Sequence, residues 1–107
     1  MGKVKERGEL IEIIRRLRSE GRRVVMANGC FDLIHGGHVS YLEASRMQGD
    51  VLVVAVNSDS SIKKLKGNNR PVYPQHERLE ILEAISFIDY LLVFDEPSVD
   101  GLLRELH

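Results

Sequence analysis

Several features that mark common classes of protein are scarce in this sequence of 107 residues. Cys30 is the one cysteine, so the chain forms neither an intramolecular disulfide nor a cysteine-rich metal cage. Lys and Arg number 15 against 16 Asp and Glu, which gives a net charge of -1. That balance provides no overall field to attract nucleic acid or an anionic membrane. An anion site in this chain must therefore be built locally.

Long apolar segments are missing as well. The clearest apolar run, from Val51 to Val56, is far shorter than the roughly 20 residues that a membrane helix needs. The N-terminus, Met1 to Lys5, lacks the apolar core of a signal peptide. We therefore expect a cytoplasmic protein without a membrane or nucleic-acid partner. The length favours a single domain over residues 1–107.

Hydrophobic spacing predicts alternating helices and strands. Strands are predicted at residues 24–27, 51–56 and 90–94, and an exposed loop at 66–74. Helices are predicted at 5–21, from near Val39 to near Gly49, in a short segment through Leu65, at 77–88, and around 99–106. Short apolar strands alternating with helices indicate an α/β fold with a Rossmann-like, doubly wound parallel sheet. Ligands bind beyond the carboxyl ends of the strands in such sheets.

The segment from Asn28 to His38, NGCFDLIHGGH, joins the first strand to its helix. Its glycines let a ligand approach the backbone, and the start of the helix offers free N–H groups to an anion. His35 and His38 face the same side if the helix begins between them. Two imidazoles there would suit a triphosphate under attack.

Two other interpretations of this segment are open. An isolated pair of histidines has no function more often than it has a catalytic function. The two histidines could also form a metal site with Cys30 or Asp32, although their spacing does not match the usual zinc patterns. The segment is neither a P-loop nor a dinucleotide-binding fingerprint.

The segment NGCFDLIHGGH resembles the signature of the cytidylyltransferase-like superfamily, whose H-x-G-H motif is matched by His35, Gly37 and His38. The resemblance covers about residues 24–96, through YLEASRMQGDVLVVAVNSD, LKGNNRPVYPQHERLEILEAI and DYLLVFDE. The run NSD-x5-LKG-x2-RPV-x-P-x3-R is similar to the bacterial heptose phosphate adenylyltransferases. This likeness implies transfer of AMP from ATP to a sugar 1-phosphate, heptose 1-phosphate, with release of pyrophosphate. The product, ADP-heptose, would serve the lipopolysaccharide core or other surface glycans.

The resemblance also implies roles for individual residues. Catalytic residues are expected at His35, His38, Lys66 and Arg78, with the histidines on phosphate oxygens and the two cations on substrate and leaving group. Nucleotide or phosphate contacts are expected from Asn28, Gly29, Phe31, Asp32, Gly37, Asp59 and Arg70. Mg²⁺ is expected to bind mainly through the phosphates, without a protein metal site.

Alternatives within and outside the superfamily are open. The chain could be a glycerol phosphate or ethanolamine phosphate cytidylyltransferase, an FMN adenylyltransferase, or a nucleotide-binding module without turnover. Expected partners are ATP, a sugar phosphate and, by functional linkage, a sugar kinase. The sequence stops before a further strand and the K-G-x-D-Y-like and Ser/Thr-rich segments of the family. We therefore expect a C-terminally truncated, three-stranded version of the family sheet, with an unpaired edge beside the third strand and self-association as a homo-oligomer.

Overall fold

The computed structural model describes residues 2–32, 34 and 36–95. The strands are β1 (Val24–Gly29), β2 (Val51–Asn57) and β3 (Tyr90–Phe94). The helices are α1 (Arg7–Ser19), α2 (Gly36–Arg46), α3 (Asp59–Lys66) and α4 (Gln75–Glu83). The helix predicted around residues 99–106 lies outside the described residues. Within the described ranges, no helix is long and apolar enough to cross a membrane.

The three strands form one parallel sheet in the order β1-β2-β3. The central strand β2 is buried along its whole length, because it is paired on both sides and covered on both faces. Gly29 of β1 is in register with Val56, and Asn57 of β2 with Phe94 of β3. The carboxyl ends of the strands therefore meet at one edge of the sheet, where the loops after β1 and β2 begin.

Helices cover both faces of this sheet. On one face, Leu10 and Ile14 of α1 belong to the same apolar cluster as Val53 and Ala55 of β2. On the other face, side chains of α2 and α4 pack against the alternate residues of β2; this cluster includes Leu42, Leu79, Leu82, Leu52, Val54 and Val56. The alternation follows from the two-residue period of a strand. The prediction of a doubly wound α/β fold is confirmed.

The first helix is shorter than the predicted span of residues 5–21. Lys5 lies before the helix, and its backbone N–H donates to the carbonyl oxygen of Leu91 at 2.9 Å. Helix α1 begins only after Glu6, which is extended. At the other end, Gly21 adopts a φ of 80°, as suits a residue that stops a helix.

The fourth helix is displaced from the predicted span of residues 77–88. It begins directly after Pro74, which occupies the N-cap, and it ends at Glu83. The backbone carbonyl of Ile85 accepts a hydrogen bond from Lys3 Nζ at 2.8 Å. Ile88 is fully buried although it follows the helix. The apolar spacing beyond Glu83 thus reflects packing of a turn rather than further helix.

The outer edge of β3 is paired at Leu91, so the expectation of an unpaired edge there is wrong at this residue. Leu91 N–H donates to Lys3 O at 2.8 Å, and Val4 forms a parallel bridge with Leu91. Together with the bond from Lys5, these contacts add a short N-terminal segment to the sheet. Hydrogen-bond donors and acceptors that would otherwise be free on an edge strand are satisfied in this way.

Candidate functional site

The loop after β1 turns at Phe31, which has a left-handed φ of 51°. For a bulky side chain this conformation costs about 1–3 kcal/mol and needs support from its surroundings. The Phe31 ring is buried in the core, 4% exposed, and it lies against the backbone of Gly29. A β-carbon at Gly29 would lie only 3.0 Å from the ring, so glycine permits this close approach. The burial of Phe31, a predicted nucleotide contact, favours packing beneath the site over stacking on a base.

The next feature of the site is the start of α2. The helix begins at Gly36, between the two histidines of the motif, as the prediction required. His38 is half-buried, and its ring is edge-on to Phe31 with 5.5 Å between centroids. Gly37 is exposed in the first turn, and the N-terminus of a helix favours an anion. His35 lies outside the described residues.

Asp32 ties the loop after β1 to the loop of residues 67–74. Its Oδ1 accepts hydrogen bonds from the backbone N–H groups of Val72 at 2.7 Å and Tyr73 at 3.2 Å. Its Oδ2 accepts one from the Arg70 guanidinium at 3.0 Å. The side chain is only 4% exposed. Asp32 was predicted to contact nucleotide; the structure instead shows its carboxylate oxygens bonded to the protein.

The environment of Asp32 favours its charged form. Burial alone would raise the pKa of this carboxyl. The hydrogen bonds from Tyr73, Arg70 and Val72, with the charge of Arg70, outweigh burial and hold the pKa below its ordinary value. A carboxylate at neutral pH is therefore available to fasten the loop.

Arg78, in the first turn of α4, is fully buried. Its Nη1 donates to the carbonyl oxygens of Cys30 and Asn57, both at 2.7 Å, and so bridges the chain just beyond β1 to the end of β2. Its Nε donates to Tyr73 O at 3.2 Å, and its Nη2 donates to Asp59 Oδ1 at 2.8 Å. Four of the five N–H donors of an arginine are thus used within the protein. The predicted phosphate-binding arginine lies beneath the site.

The turn after β2 combines a helix cap with a carboxylate near the surface. Ser58 Oγ accepts a hydrogen bond from Ser61 N–H at 3.2 Å and caps α3. The Asp59 side chain is 40% exposed, and Arg78 holds one of its oxygens. Beside it lies a groove of about 210 Å³, which Lys63 and Pro71 also line. This groove and the loop of residues 67–74 adjoin each other.

The other predicted site residues lie nearer the solvent. Asn28, at the end of β1, and Lys66, at the end of α3, are exposed. The Arg70 side chain is 41% exposed while its guanidinium is held by Asp32. The structure thus links Asp32 to Arg70 and Asp59 to Arg78 by hydrogen bonds, while Asn28 and Lys66 lie exposed at the surface.

Sequence reasoning missed how the two loops are fastened together. The backbone N–H groups of Val72 and Tyr73 were not predicted to take part in the site. They are 40 and 41 residues from Asp32 in sequence, and a backbone donor carries no residue-type signal. Gly67 and the Arg70-Pro71 pair were the local signs that glycine and proline shape the backbone of this loop.

The described residues also bear on metal binding. In these parts of the chain, no three His, Cys, Asp or Glu side chains lie close enough together to hold a metal ion. Asp32 accepts hydrogen bonds from three residues, and Cys30 Sγ lies 3.6 Å from Asn57 Oδ1. The two side chains that the metal alternative would add to the histidines therefore contact other groups.

Comparison with known proteins gives matches over most of the chain. A family model described as cytidylyltransferase-like matches residues 26–107. The bifunctional protein HldE of Geobacter sulfurreducens is 50% identical over 104 residues, which are 97% of this chain and 21% of that protein. HldE of Koribacter versatilis is 51% identical over 96 residues, 90% of this chain and 20% of that protein. The chain spans about a fifth of the length of these curated relatives.

A solved structure matches in both sequence and fold. It is the crystal structure of the lipopolysaccharide core biosynthesis protein from Thermoplasma volcanium, which is 32% identical to this chain. The TM-score is 0.70, and the match covers 80% of this chain and 69% of that one. The likeness therefore extends across the greater part of both chains.

Proposed function

Since the chain belongs to the cytidylyltransferase-like family, we propose that it transfers AMP from ATP to a sugar 1-phosphate and releases pyrophosphate. The proposed acceptor is heptose 1-phosphate, and the product is ADP-heptose for the lipopolysaccharide core or another surface glycan. Two findings support this choice within the family. Residues 57–78 resemble the heptose phosphate branch, and the chain is about 50% identical to proteins named HldE.

One observation carries the proposal: Asp32 fastens together two segments at the carboxyl ends of the strands, and we propose that both bind anions. The first segment is the loop that leads from β1 to the start of α2 and His38, and the second is the loop of residues 67–74 with Arg70. A triphosphate over this edge would meet backbone N–H groups, imidazole and guanidinium. These groups supply charge and positioning, which are the main needs of a direct displacement at phosphorus.

The proposed reaction is a single in-line displacement. An oxygen of the sugar phosphate bonds to the α-phosphorus of ATP, and the bond between that phosphorus and the bridging oxygen to the β-phosphate breaks. The electron pair leaves with pyrophosphate. His35 and His38 are proposed to donate to oxygens of the α- and β-phosphates. Lys66, with Arg70 in place of the predicted but fully buried Arg78, is proposed to neutralise the acceptor phosphate and the leaving group.

Magnesium is proposed to bind mainly through phosphate oxygens and to neutralise part of their charge. The nearby carboxylates support this arrangement, because Asp32 and Asp59 already accept hydrogen bonds from Arg70 and Arg78. Removal of the metal with EDTA should stop pyrophosphate release, and added Mg²⁺ should restore it.

Pyrophosphate release by the purified chain tests the proposed function. ATP and CTP are each supplied with heptose 1-phosphate, glycerol 3-phosphate, ethanolamine phosphate or FMN. We expect release with ATP and heptose 1-phosphate. Release from CTP with one of the alcohol phosphates would favour a cytidylyltransferase, and release with FMN an FMN adenylyltransferase. Binding of ATP without release under any condition would favour a nucleotide-binding module.

Two partners complete the proposal. The relatives named HldE are called bifunctional, which supports a link between this domain and a second activity. We propose a sugar kinase of the same pathway for that activity. We also propose a homo-oligomer, which light scattering on the purified chain tests.

A further inference from the structure

The two arginines of the site are held in different ways. Arg78 is fully buried, and its guanidinium donates to three backbone carbonyls and to Asp59. Turning Arg78 toward a ligand would leave the buried carbonyl of Asn57 and the part-buried carbonyl of Cys30 without these donors, which is unfavourable. Arg78 therefore stabilises the loops from beneath and does not reach a phosphate itself.

Arg70 has the opposite character. Its side chain is 41% exposed, and one nitrogen, Nη1, is bound to Asp32. Among the described residues, Nε and Nη2 of Arg70 have no hydrogen-bond partner. An arginine fork with one corner fixed and its other edge open is suited to a bidentate contact with phosphate oxygens.

The turn that carries Arg70 is fastened from two sides. Asp32 accepts hydrogen bonds from the N–H groups of Val72 and Tyr73 on one side. Arg78 donates to the carbonyl oxygen of Tyr73 on the other. The loop is thus fixed before any ligand arrives, and groups fixed in advance lose less freedom when they bind.

We propose that Asp32 is a positioning residue, which fixes the loop of residues 67–74 and directs the Arg70 guanidinium toward the phosphates of the nucleotide. Arg70, and not Arg78, then makes the direct arginine contact. This inference rests on the proposed function, because it takes ATP as the ligand. It differs from a nucleotide-binding role for Asp32, since the carboxylate acts through Arg70 and two backbone N–H groups.

The test compares Asp32→Asn with Asp89→Asn. Asp89 is a matched control, because it also accepts a backbone hydrogen bond, from Leu52 at 2.8 Å, and pairs with Arg46 at 3.4 Å. It lies at the amino ends of the strands, away from the site. Three quantities are measured: the Kd for ATP, the exchange rates of the Val72 and Tyr73 amide hydrogens, and the Tm.

Asp32→Asn should raise the Kd for ATP by about tenfold and speed exchange at both amides, because the charge that holds the loop is gone. Asp89→Asn should leave the Kd and these two exchange rates within about twofold of the wild-type values. A Kd unchanged by Asp32→Asn would overturn the proposal.

Arg70→Ala is the second variant of the test, and it leaves the buried carboxylate of Asp32 in place. It should also raise the Kd for ATP by about tenfold, while the two amides stay protected. Combining it with Asp32→Asn should add little, because the two residues act as one unit. Independent effects that multiply would contradict the proposed mechanism. If Asp32→Asn fails to fold, an unchanged Kd in Arg70→Ala is by itself enough to overturn the proposal.

These measurements separate the two proposals. Binding and amide exchange need no turnover, so a chain that follows the expected pattern without releasing pyrophosphate would refute the transferase and keep the positioning role. Normal pyrophosphate release by the wild-type chain, with a Kd for ATP that Asp32→Asn leaves unchanged, would refute the positioning role and keep the transferase. Failure of the wild-type chain to bind ATP would contradict both.

Discussion

The two ends of the parallel sheet carry similar groups in different surroundings. At the amino ends of the strands, Asp89 accepts a hydrogen bond from Leu52 N–H and pairs with Arg46, and these two charged side chains are 37% and 33% exposed. At the carboxyl ends, Asp32 likewise binds backbone N–H groups and an arginine, yet it is 4% exposed. At both ends an aspartate thus accepts backbone hydrogen bonds and pairs with an arginine, but this aspartate is partly exposed at the amino ends and buried at the carboxyl ends.

This difference supports the carboxyl ends of the strands as the location of the functional site. Burying a charge carries a desolvation cost that a hydrated pair avoids. The amino end shows that this fold can attach a loop to a strand without that cost. The positive φ at the amino end falls on a glycine, Gly21, whereas at the carboxyl end Phe31 adopts a positive φ as well as Gly67. Buried charge and backbone strain at one edge are typical of a functional site.

The largest expected effect compares the arginines of the two ends. Arg78→Ala should lower the free energy of unfolding by about 3–5 kcal/mol, because buried carbonyls and Asp59 lose their donor. Arg46→Ala should cost about 0–1 kcal/mol, since its ion pair is partly exposed. Urea denaturation measures both changes. Equal losses would show that burial does not distinguish the two ends.

The histidines of the H-x-G-H motif should affect rate rather than folding. His35→Ala or His38→Ala should lower the turnover number by at least ~100-fold, as expected for loss of a donor to a developing oxyanion. The Tm should change little by comparison, because His38 is only half-buried in the first turn of α2. Asp89→Asn, at the opposite end, serves as the activity control. Near-normal turnover in both histidine variants would contradict the assignment of the site.

The regular part of the fold could be predicted because it depends on local pattern. β3 matches its predicted span, residues 90–94, and the apolar run of β2 is extended only by Asn57. Boundaries set by distant partners were predicted less well. Lys5 was predicted to be helical, yet it lies before α1 and its N–H donates to Leu91 of β3. Tertiary contacts overrode local preference at such positions.

The candidate site could be located from the sequence, but its internal connections could not. The motif and the parallel sheet placed the loops after β1 and β2 at one edge, and α2 begins between the histidines as expected. The burial of Arg78 and the attachment of Asp32 to Val72 depend on three-dimensional packing. Residue type alone does not show whether an arginine or an aspartate is exposed to solvent or buried in the core.

A smaller effect concerns the pH dependence of stability. The pKa of Asp32 in the folded protein lies below its ordinary value. Its stabilising contribution is therefore fully present above the unfolded-state pKa of about 4, and it is lost as the pH falls through the folded-state pKa. Wild type should be more stable than Asp32→Asn at pH 7, and the gap should narrow below roughly pH 4. Urea denaturation of both proteins from pH 7 to pH 3 measures this, and a gap independent of pH would contradict it.

The smallest expected effect separates two exposed lysines of α3. Lys66 ends the helix beside the loop of residues 67–74, while Lys64 lies two residues earlier and therefore points to another side. Lys66→Ala should lower kcat/KM for ATP by about two- to tenfold, because one hydrated cation contributes little, and added salt should shrink the difference. Lys64→Ala should stay within about twofold of wild type, since an exposed lysine without a role has little effect.

The preference for ATP over CTP should not change in either variant, because neither lysine is assigned to the base. A marked shift of that preference in Lys66→Ala, with phosphate binding intact, would indicate that Lys66 contacts the base and not the phosphates.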